Sequence, residues 1–381
     1  MIGKKMSKKK KRKIITDLAK KSIIFKPVVF KRLYRLSFPS TKKKIEEAFK
    51  AYCKKNYTSE EKRFIKRDMI YCRTYYNVSF QEYFLYNFPE KSHKERKNFI
   101  TNKERKKYLR LLGNLEGYNT LSDKYLSYLS LKKFYDRDII KLSSIEDYDI
   151  FLNYINKHPI FVIKPLDSSF GKGIKLVNSN EYENKTNLFM QLIENGSLIL
   201  EEHIKQNKKM ASLHPNSLNT IRMITYLDNE NNVTIHYPFI KIGQKGSFVD
   251  NGGAGGIFAL IDSATGKIIT PGKDEKNNKY INHPDTKVKI KDFVIPCWDD
   301  AIKFSEDIAR AFPDTRYIGW DIALTDKNKW VVVEGNCRTQ FLGQQTTDEI
   351  GKKKDLEKLI NYRKLKRKRK QFDKMWKDIK I

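Results

Sequence analysis

Short apolar runs alternate with charged and glycine-containing stretches from about residue 121 onward, and this pattern sets the predicted fold. The runs predict strands at residues 160–164, 174–177, 198–202, 220–227, 233–242, 256–261, 320–324 and 330–334. Helical patterns occur at residues 121–129, 181–193 and 298–311. Because several strands are joined by short polar turns, the sequence predicts an α+β fold with mainly antiparallel sheets.

The two ends of the chain have a different pattern. Residues 4–120 predict helices rich in Lys, Tyr and Phe, among them residues 42–56 and 59–76, without recognisable chemistry. From residue 351 a charged helical pattern contains only sparse apolar positions. These changes predict four segments: a basic N-terminal segment at 1–40, a helical lead-in domain at 41–120, an α+β domain at 121–345, and a basic C-terminal helix and tail at 346–381.

Composition and charge narrow the class of protein. The 381 residues are 39% hydrophobic and 12% aromatic, which is typical of a folded chain with a large core. The net charge of +32 is concentrated at the ends, with about +13 in residues 1–35 and about +10 in residues 352–381. Such ends attract nucleic acid, the anionic inner face of a membrane or an acidic polymer, or serve only as solvated tails.

Few features of the sequence indicate where the protein is located or the redox state of its cysteines. The four cysteines show neither metal-ligand nor disulfide-framework spacing, so we expect reduced thiols. The sequence contains no run of 18 apolar residues and no signal-peptide pattern at its N-terminus. We therefore expect a cytoplasmic protein, with basic ends that suit a peripheral position at the inner membrane face.

The sharpest chemical signal is a predicted hairpin near residue 330. Two apolar strands flank a turn, and they carry Asp321 on the first strand and Glu334 and Asn336 on the second. Because side chains alternate along strands, these three oxygen-bearing groups can converge on one face. Mg²⁺ prefers such ligands and usually keeps phosphates and waters as its other partners. The pattern indicates a metal–nucleotide site, although a plain strand pair with polar ends would show the same hairpin.

Three further motifs follow one another in order within residues 121–345: HPNSLNTIR at 214–222, DNGGAGG at 250–256 and YIGWD at 317–321. With the hairpin, they resemble the ATP-grasp superfamily, and most closely the sugar-transfer-associated ATP-grasp proteins. The resemblance implies that residues 121–345 form an ATP-grasp domain, in which two α+β lobes with mainly antiparallel sheets grip ATP. A helical N-terminal region would precede it.

The resemblance also implies a nucleotide site. Lys164, on the strand before a Gly/Ser loop, and the earlier Lys124 would contact the phosphates. The loop at 167–173 would be a mobile lid, since glycine lets backbone N–H groups approach phosphate closely. The hinge at 198–204 would bind the adenine edge, with Glu201 accepting from the amino group, while the ribose contact is unassigned. The remaining cofactor-binding residues predicted on this basis are Ser168, Ser169, Gly171, Gly173, Glu202 and Ile204.

Catalytic and substrate residues follow from the same resemblance. Arg222 and Lys241, each on an otherwise apolar strand, would neutralise the transferring phosphate. The glycine-rich run would hold the acceptor carboxylate or acyl phosphate, since consecutive small residues allow a nest of N–H donors. The predicted substrate residues are Asn251, Gly252, Gly253, Gly255, Gly256 and His283.

Together these features predict an ATP-dependent carboxylate–amine ligase that uses ATP and two Mg²⁺ ions bound by Asp321, Glu334 and Asn336. An acyl phosphate would form and an amine would then displace phosphate to give an amide, on a sugar or a cell-surface polysaccharide precursor such as that of a capsule. Two alternatives stay open: a kinase that phosphorylates a sugar-related hydroxyl, and a basic nucleic-acid-binding protein. The chain contains no recognisable nucleic-acid-binding motif, so nucleic acid is not the expected partner.

Overall fold

The computed structural model describes residues 32, 34–35, 37–166, 173–250, 252, 255–362 and 365. Most of the predicted basic N-terminal segment and the end of the basic tail lie outside the described residues. The same holds for Ser168, Ser169 and Gly171 of the predicted lid, and for Asn251 and Gly253 of the glycine-rich run.

The described chain begins with helices, as the sequence predicted. They are α1 (Pro39–Tyr52), α2 (Ser59–Tyr75), α3 (Phe80–Leu85), α4 (His93–Arg96) and α5 (Asn102–Leu112), with a 3₁₀ turn at Phe88–Glu90. Helix α1 begins earlier than predicted because Pro39 suits the first helical position, where no backbone N–H is needed. The core of this region is rich in aromatic side chains, and it contains a buried ion pair between Arg96 and Asp68 at 2.7 Å.

Two helices lead from this region into a small sheet. Helices α6 (Leu115–Ser122) and α7 (Lys124–Tyr135) meet at Asp123, whose carboxylate caps α7. The sheet comprises β1 (Ile139–Leu142), β2 (Ile160–Pro165), β3 (Lys175–Asn178) and β4 (Leu198–Glu202), antiparallel in the order β1-β4-β2-β3. Helices α8 (Tyr148–Lys157) and α9 (Lys185–Ile193), with short 3₁₀ turns at Ile145–Asp147 and Ser179–Glu181, complete this lobe.

Alternation along the strands gives the small sheet two different faces. One face packs with α8 and α9 in a hydrophobic cluster that includes Phe161, Leu198 and Leu200. The other face carries Lys164 and Glu201, and it lies toward the second lobe.

The second lobe is built on an eight-stranded sheet in the order β10-β9-β8-β7-β5-β11-β12, with β6 paired to β5. Its strands are β5 (Thr220–Leu227), β6 (Val233–Ile235), β7 (Phe239–Ile242), β8 (Ile257–Leu260), β9 (Gly272–Asp274), β10 (Lys279–Tyr280), β11 (Tyr317–Leu324) and β12 (Trp330–Asn336). All the pairings are antiparallel. The short helix α10 (Lys208–Ala211) precedes β5.

The two faces of the large sheet are covered differently. Helix α11 (Trp298–Ala311) packs against β5 and β12, and α7 also packs on β12, so one face is buried. On the other face, a second cluster contains side chains of α5 and α13 (Lys353–Leu359) together with Phe239, Phe258 and Phe341. Phe341 directly precedes α12 (Leu342–Thr346). That cluster covers only part of the face, and the polar residues beside it form a cleft with the small sheet.

The structure also corrects several predicted boundaries. The predicted strand at 233–242 is two strands, because Tyr237 adopts a left-handed φ of 50° just before Pro238. The predicted helix at 121–129 is interrupted at the Asp123 cap, and that at 181–193 begins at Lys185, where Asn184 caps it. None of the described helices is long and apolar enough to span a membrane.

Candidate active site

An acidic hairpin forms the base of the cleft. Asp321 on β11 lies opposite Glu334 on β12, and Asn336 lies opposite Gly319. The Asn336 amide donates to Oδ2 of Asp321 at 3.3 Å. The structure therefore brings together the three side chains that the sequence predicted would converge.

Glu334 differs from Asp321 in its surroundings. Its side chain is exposed to the cleft, and among the described residues it forms neither a hydrogen bond nor an ion pair. Enclosure in the cleft and the nearby Asp321 carboxylate raise its pKa, against the lowering effect of Lys241 and Arg222. An open carboxylate beside a second one is a chemically suitable ligand for a divalent cation.

Two cationic side chains, on strands β5 and β7, form ion pairs with Asp321. Arg222 lies directly opposite it on β5, and the guanidinium makes two contacts, Nε to Oδ1 at 2.5 Å and Nη2 to Oδ2 at 2.9 Å. Lys241 on β7 places Nζ 3.2 Å from Oδ2. Burial alone would raise the pKa of Asp321, but Arg222 and Lys241 hold it below its usual range, so the carboxylate is ionised.

Asp250 is a partner that the sequence analysis did not assign to the site. Its Oδ1 lies 3.4 Å from Nζ of Lys241, and Oδ2 accepts from the backbone N–H of Thr220 at 3.0 Å and from the Thr220 hydroxyl. Burial lowers the pKa of Lys241, but Asp250 and Asp321 outweigh it and raise the pKa, so the ammonium is retained. The sequence did contain a signal for assigning Asp250 to the site, because this residue directly precedes the glycine-rich run.

The opposite wall of the cleft comes from the small sheet. Nζ of Lys164 lies 2.8 Å from one oxygen of Glu201, and the guanidinium of Arg137 lies 2.8 Å from the other. Arg137 also donates to the carbonyl of Val332 on β12 at 2.6 Å, so it ties the two sheets together. Burial would raise the pKa of Glu201, but Lys164 and Arg137 keep it low. The predicted contact of Glu201 with adenine stays a prediction.

Lys124 lies beside this wall. Its ammonium donates to the carbonyls of Pro165 and Leu166 at 3.0 and 3.2 Å, where the predicted lid begins. Burial lowers its pKa, while Glu334 across the cleft raises it and Lys164 lowers it. Lys124 is therefore close enough to Lys164 and Glu334 for their charges to affect its pKa.

The cleft-facing side of the small sheet also has an apolar surface. Val162 and Leu176 are directly paired on β2 and β3, on the same face as Lys164. Leu176 is 45% exposed although it lies within a sheet. Because an exposed leucine alone is common, its position in the sequence gave no signal of a role.

The predicted hinge is described in full, and the glycine-rich run is described in part. Glu202 is tied to Asp138 through backbone and side-chain hydrogen bonds, and Ile204 follows it beyond the end of β4. The backbone N–H of Gly255 donates to the carbonyl of Gly252 at 2.9 Å, and Gly255 has a φ of +95°, where glycine is favoured. Gly256 is buried directly before β8, and Gly173, with φ of +75°, directly follows the undescribed part of the lid.

His283 is enclosed in the protein. Its ring is fully buried, with Nε2 donating to the carbonyl of Gly243 at 2.7 Å and Nδ1 accepting from the backbone of Asp285 and Thr286. The ring lies 5.3 Å from that of His214. These contacts fix the chain that leads to the glycine-rich run, and a direct substrate contact of His283 stays a prediction.

Two antiparallel sheets closing on one cleft, with lysines on one wall and an acidic hairpin on the other, define a protein of the ATP-grasp class. The model of one family, described as sugar-transfer associated ATP-grasp, matches residues 105–360, and the chain belongs to that family. The predicted family and fold class are thereby confirmed. The predicted segment boundaries at 40, 120 and 345 stay predictions.

Solved structures with a similar fold are distant. A D-alanine–D-alanine ligase from Bacillus anthracis complexed with ATP is 17% identical, with a TM-score of 0.38 and 66% of each chain covered. N5-carboxyaminoimidazole synthetase from Staphylococcus aureus complexed with ADP is 13% identical, with a TM-score of 0.39 and coverage of 65% of this chain and 54% of that chain. The ATP-grasp ligase PsnB with its minimal precursor is 10% identical, with a TM-score of 0.38 and coverage of 61% and 56%. The chain therefore spans between half and two thirds of these proteins. No curated protein sequence matches it.

Proposed function

We propose that this protein is an ATP-dependent carboxylate–amine ligase that forms an amide through an acyl phosphate. The observation that carries the proposal is the ion-paired cluster of Asp321, Arg222 and Lys241 beside the open carboxylate of Glu334. Lys164 and Lys124 line the facing wall. This set of charges suits a polyphosphate that is accompanied by a metal.

The nucleotide would lie along the small sheet. Lys164 and Lys124 would bind its phosphates, and their positions beside Glu201 and at the start of the predicted lid support this assignment. The paired side chains of Val162 and Leu176 offer an apolar surface of the kind that accepts the flat face of a base. Backbone groups of residues 202–204 would meet the adenine edge.

The residues of the hairpin fit Mg²⁺. Glu334, Asp321 and Asn336 offer only oxygen ligands, and the exposed Glu334 leaves room for phosphate oxygens and water to complete the coordination. We propose that these residues hold two ions. When bound, Mg²⁺ neutralises phosphate charge as the γ-phosphoryl group is transferred.

The first step joins a substrate carboxylate to the γ-phosphorus of ATP. A carboxylate oxygen forms the new O–P bond, the bond between the γ-phosphorus and the bridging oxygen breaks, and ADP leaves. Repulsion between two anions opposes this step. Arg222 and Lys241 are held as cations by buried carboxylates, so their charge is already in place when the reaction occurs.

The second step forms the amide. A neutral amine attacks the carbonyl carbon of the acyl phosphate, the C–O bond to phosphate breaks, and the nitrogen loses a proton. The acyl phosphate is sensitive to water, so closure of the cleft over it would protect the intermediate.

We propose a sugar-containing substrate, and the description of the family as sugar-transfer associated supports this choice. Either an amino acid is joined to a uronic acid, or an amino sugar receives an acyl group, as part of building a capsule or a related polysaccharide precursor. The use of ATP suits a cytoplasmic enzyme, and the basic segments at 1–35 and 352–381 would attract an anionic membrane surface.

The test is phosphate and ADP release by the purified protein with Mg-ATP, across a panel of uronic acids, amino sugars and amino acids. Glu334→Ala should abolish turnover, whereas Glu230→Gln, in the exposed turn after β5, is the matched control and should leave it unchanged. Turnover that needs both a carboxylate and an amine supports the ligase. ADP without phosphate would indicate a kinase instead, and failure to bind ATP would contradict both.

A further inference from the structure

A second group of metal-ligating side chains lies on the small lobe, apart from the acidic hairpin. Asp138 directly precedes β1, His158 is the C-cap residue of α8, and Glu202 is the last residue of β4. Nε2 of His158 lies 2.9 Å from Oδ2 of Asp138, and its Nδ1 lies 3.9 Å from Oε1 of Glu202. One possible ligand atom from each residue lies within 4.8 Å of those of the other two. The three side chains therefore converge on one point.

This cluster lies on the face of the small sheet opposite Lys164. Glu201 on β4 points to the cleft, where it pairs with Lys164, and Glu202 points to the other face because side chains alternate along a strand. The contact of the Glu202 carboxylate with His158 at the end of α8 agrees with this direction. The cluster is therefore separate from the residues proposed to bind phosphate.

The backbone around the cluster is fixed, while the two carboxylates are accessible. The backbone N–H of Glu202 donates to the carbonyl of Asp138 at 3.0 Å, and the backbone N–H of Asp138 donates to Oε2 of Glu202 at 3.2 Å. The hydroxyl of Tyr154 donates to the same Asp138 carbonyl at 3.3 Å. The side chains of Asp138 and Glu202 are 43% and 42% exposed, so an ion can reach both from solvent.

The spacing and the chemistry of these ligand atoms suit Zn²⁺. Donor atoms around a tetrahedral zinc ion lie about 2.1 Å from the metal and therefore about 3.4 Å from one another. Atoms that lie within 4.8 Å of one another reach this spacing through relative shifts of about 1.4 Å or less, which rotation of exposed carboxylates provides. One imidazole nitrogen with two carboxylate oxygens is a typical zinc ligand set, with water as the fourth ligand, whereas Mg²⁺ prefers oxygen ligands alone.

The surroundings favour a cation, although one side chain competes with it. Carbonyl groups at the C-terminus of α8 carry partial negative charge, which attracts cations near the last turn. Hydrogen bonds from Lys157 and then His158 lower the pKa of Asp138, so this carboxylate is ionised. Lys157 would compete with zinc for Asp138, but its side chain is 69% exposed and such surface ion pairs are weak, so the ammonium can move into solvent.

We propose that Asp138, His158 and Glu202 bind one Zn²⁺ ion. The ion would hold together three segments of the small lobe: the chain before β1, the end of α8 and the end of β4. Residues 202–204, whose backbone is proposed to meet adenine, begin at this point. The zinc site goes beyond the ligase proposed above and does not depend on it.

The experiment titrates the protein with ZnCl₂ by isothermal titration calorimetry in the presence of excess Mg²⁺. Wild-type protein should bind Zn²⁺ at a site whose affinity falls by about tenfold or more in His158→Gln and in Glu202→Gln, because loss of even an outer-shell partner typically costs that much. Lys157→Met removes the competing ammonium and should tighten binding by about twofold to fivefold.

Two control substitutions distinguish this site from other metal sites. His203→Gln removes the imidazole next to Glu202, Glu334→Ala alters the acidic hairpin, and neither should change the zinc affinity by more than about twofold. Absence of zinc binding in the wild type, unchanged affinity in His158→Gln or Glu202→Gln, loss of binding in either control, or no tightening in Lys157→Met would overturn the proposal. Thermal unfolding midpoints without zinc check that each variant is folded, and zinc should raise the midpoint of the wild type but not that of His158→Gln.

Discussion

Replacing Lys241 with methionine tests the charge balance of the site. Lys241 is buried between Asp321 at 3.2 Å and Asp250 at 3.4 Å. At an effective dielectric constant of 20, each contact corresponds to about 5 kcal/mol of Coulomb attraction. Desolvation of the ammonium and repulsion from Arg222 offset much of this sum. Loss of one member of a buried pair typically costs about 3 to 5 kcal/mol, and we expect Lys241→Met to lower the free energy of unfolding by that amount at pH 7.

The loss of unfolding free energy in Lys241→Met should also change with pH in a defined direction. In the variant, Asp321 loses one of its two cations while staying buried, so its folded pKa rises above the wild-type value. A carboxyl with a raised folded pKa binds its proton more readily in the folded state, and the penalty therefore shrinks as the pH falls. The difference between variant and wild type should be smaller at pH 5 than at pH 7.

Urea unfolding followed by tryptophan fluorescence measures both quantities. Lys327→Met, in the exposed turn between β11 and β12, is the matched control and should change the free energy of unfolding by less than about 0.5 kcal/mol. Adding Asp250→Asn to Lys241→Met should recover part of the loss, since it removes one uncompensated charge. A cost below about 1 kcal/mol at pH 7, or one that grows toward pH 5, would refute the reasoning.

Three other substitutions have defined outcomes. Gly252→Ala would place a methyl group against the buried phenyl ring of Phe258, its nearest neighbour, and 2.6 Å from Oε1 of Glu275. The glycine-rich run would have to shift, so acceptor turnover should be lost while ATP binding, measured by calorimetry, is retained. Arg222→Lys cannot reproduce the two contacts with Asp321, and kcat should fall about tenfold or more, with a smaller change in the KM for ATP. Glu201→Gln leaves two buried cations without their carboxylate. Because the folded pKa of Glu201 is lowered, its stabilisation is present above about pH 4.3 and is lost as the pH falls through the folded value, so acid unfolding curves of variant and wild type should converge at low pH.

Local pattern was enough to predict several elements. The predicted strands at 198–202 and 220–227 and the helix at 298–311 match β4, β5 and α11, because each is a continuous apolar or amphipathic run with clear ends. The same pattern failed at 233–242, where a left-handed residue and Pro238 interrupt an otherwise apolar stretch. Strand β1 was missed because Ile139–Leu142 is only four residues long and includes a lysine.

The acidic hairpin could be predicted because its three side chains lie within 16 residues and share one alternation pattern. Partners that are distant in the sequence could not be predicted in this way. Arg137 lies 64 residues from Glu201, and it follows Asp136 and precedes Asp138, so nothing local marks it as buried.

Lys164 forms an ion pair with Glu201 and is also proposed to bind a nucleotide phosphate, so nucleotide binding would be linked to the contact between the lobes. In the structure it is paired with Glu201, which also binds Arg137, and Arg137 reaches across to the carbonyl of Val332. A phosphate that draws Lys164 away leaves Glu201 with Arg137 as its remaining cation, which strengthens their contact at the seam between the sheets. By thermodynamic reciprocity, any change that loosens this seam must also alter the affinity for the nucleotide. In the proposed enzyme, the arrangement of the two lobes would therefore depend on Glu201, the carboxylate that Lys164 and Arg137 share, as well as on the path of the backbone.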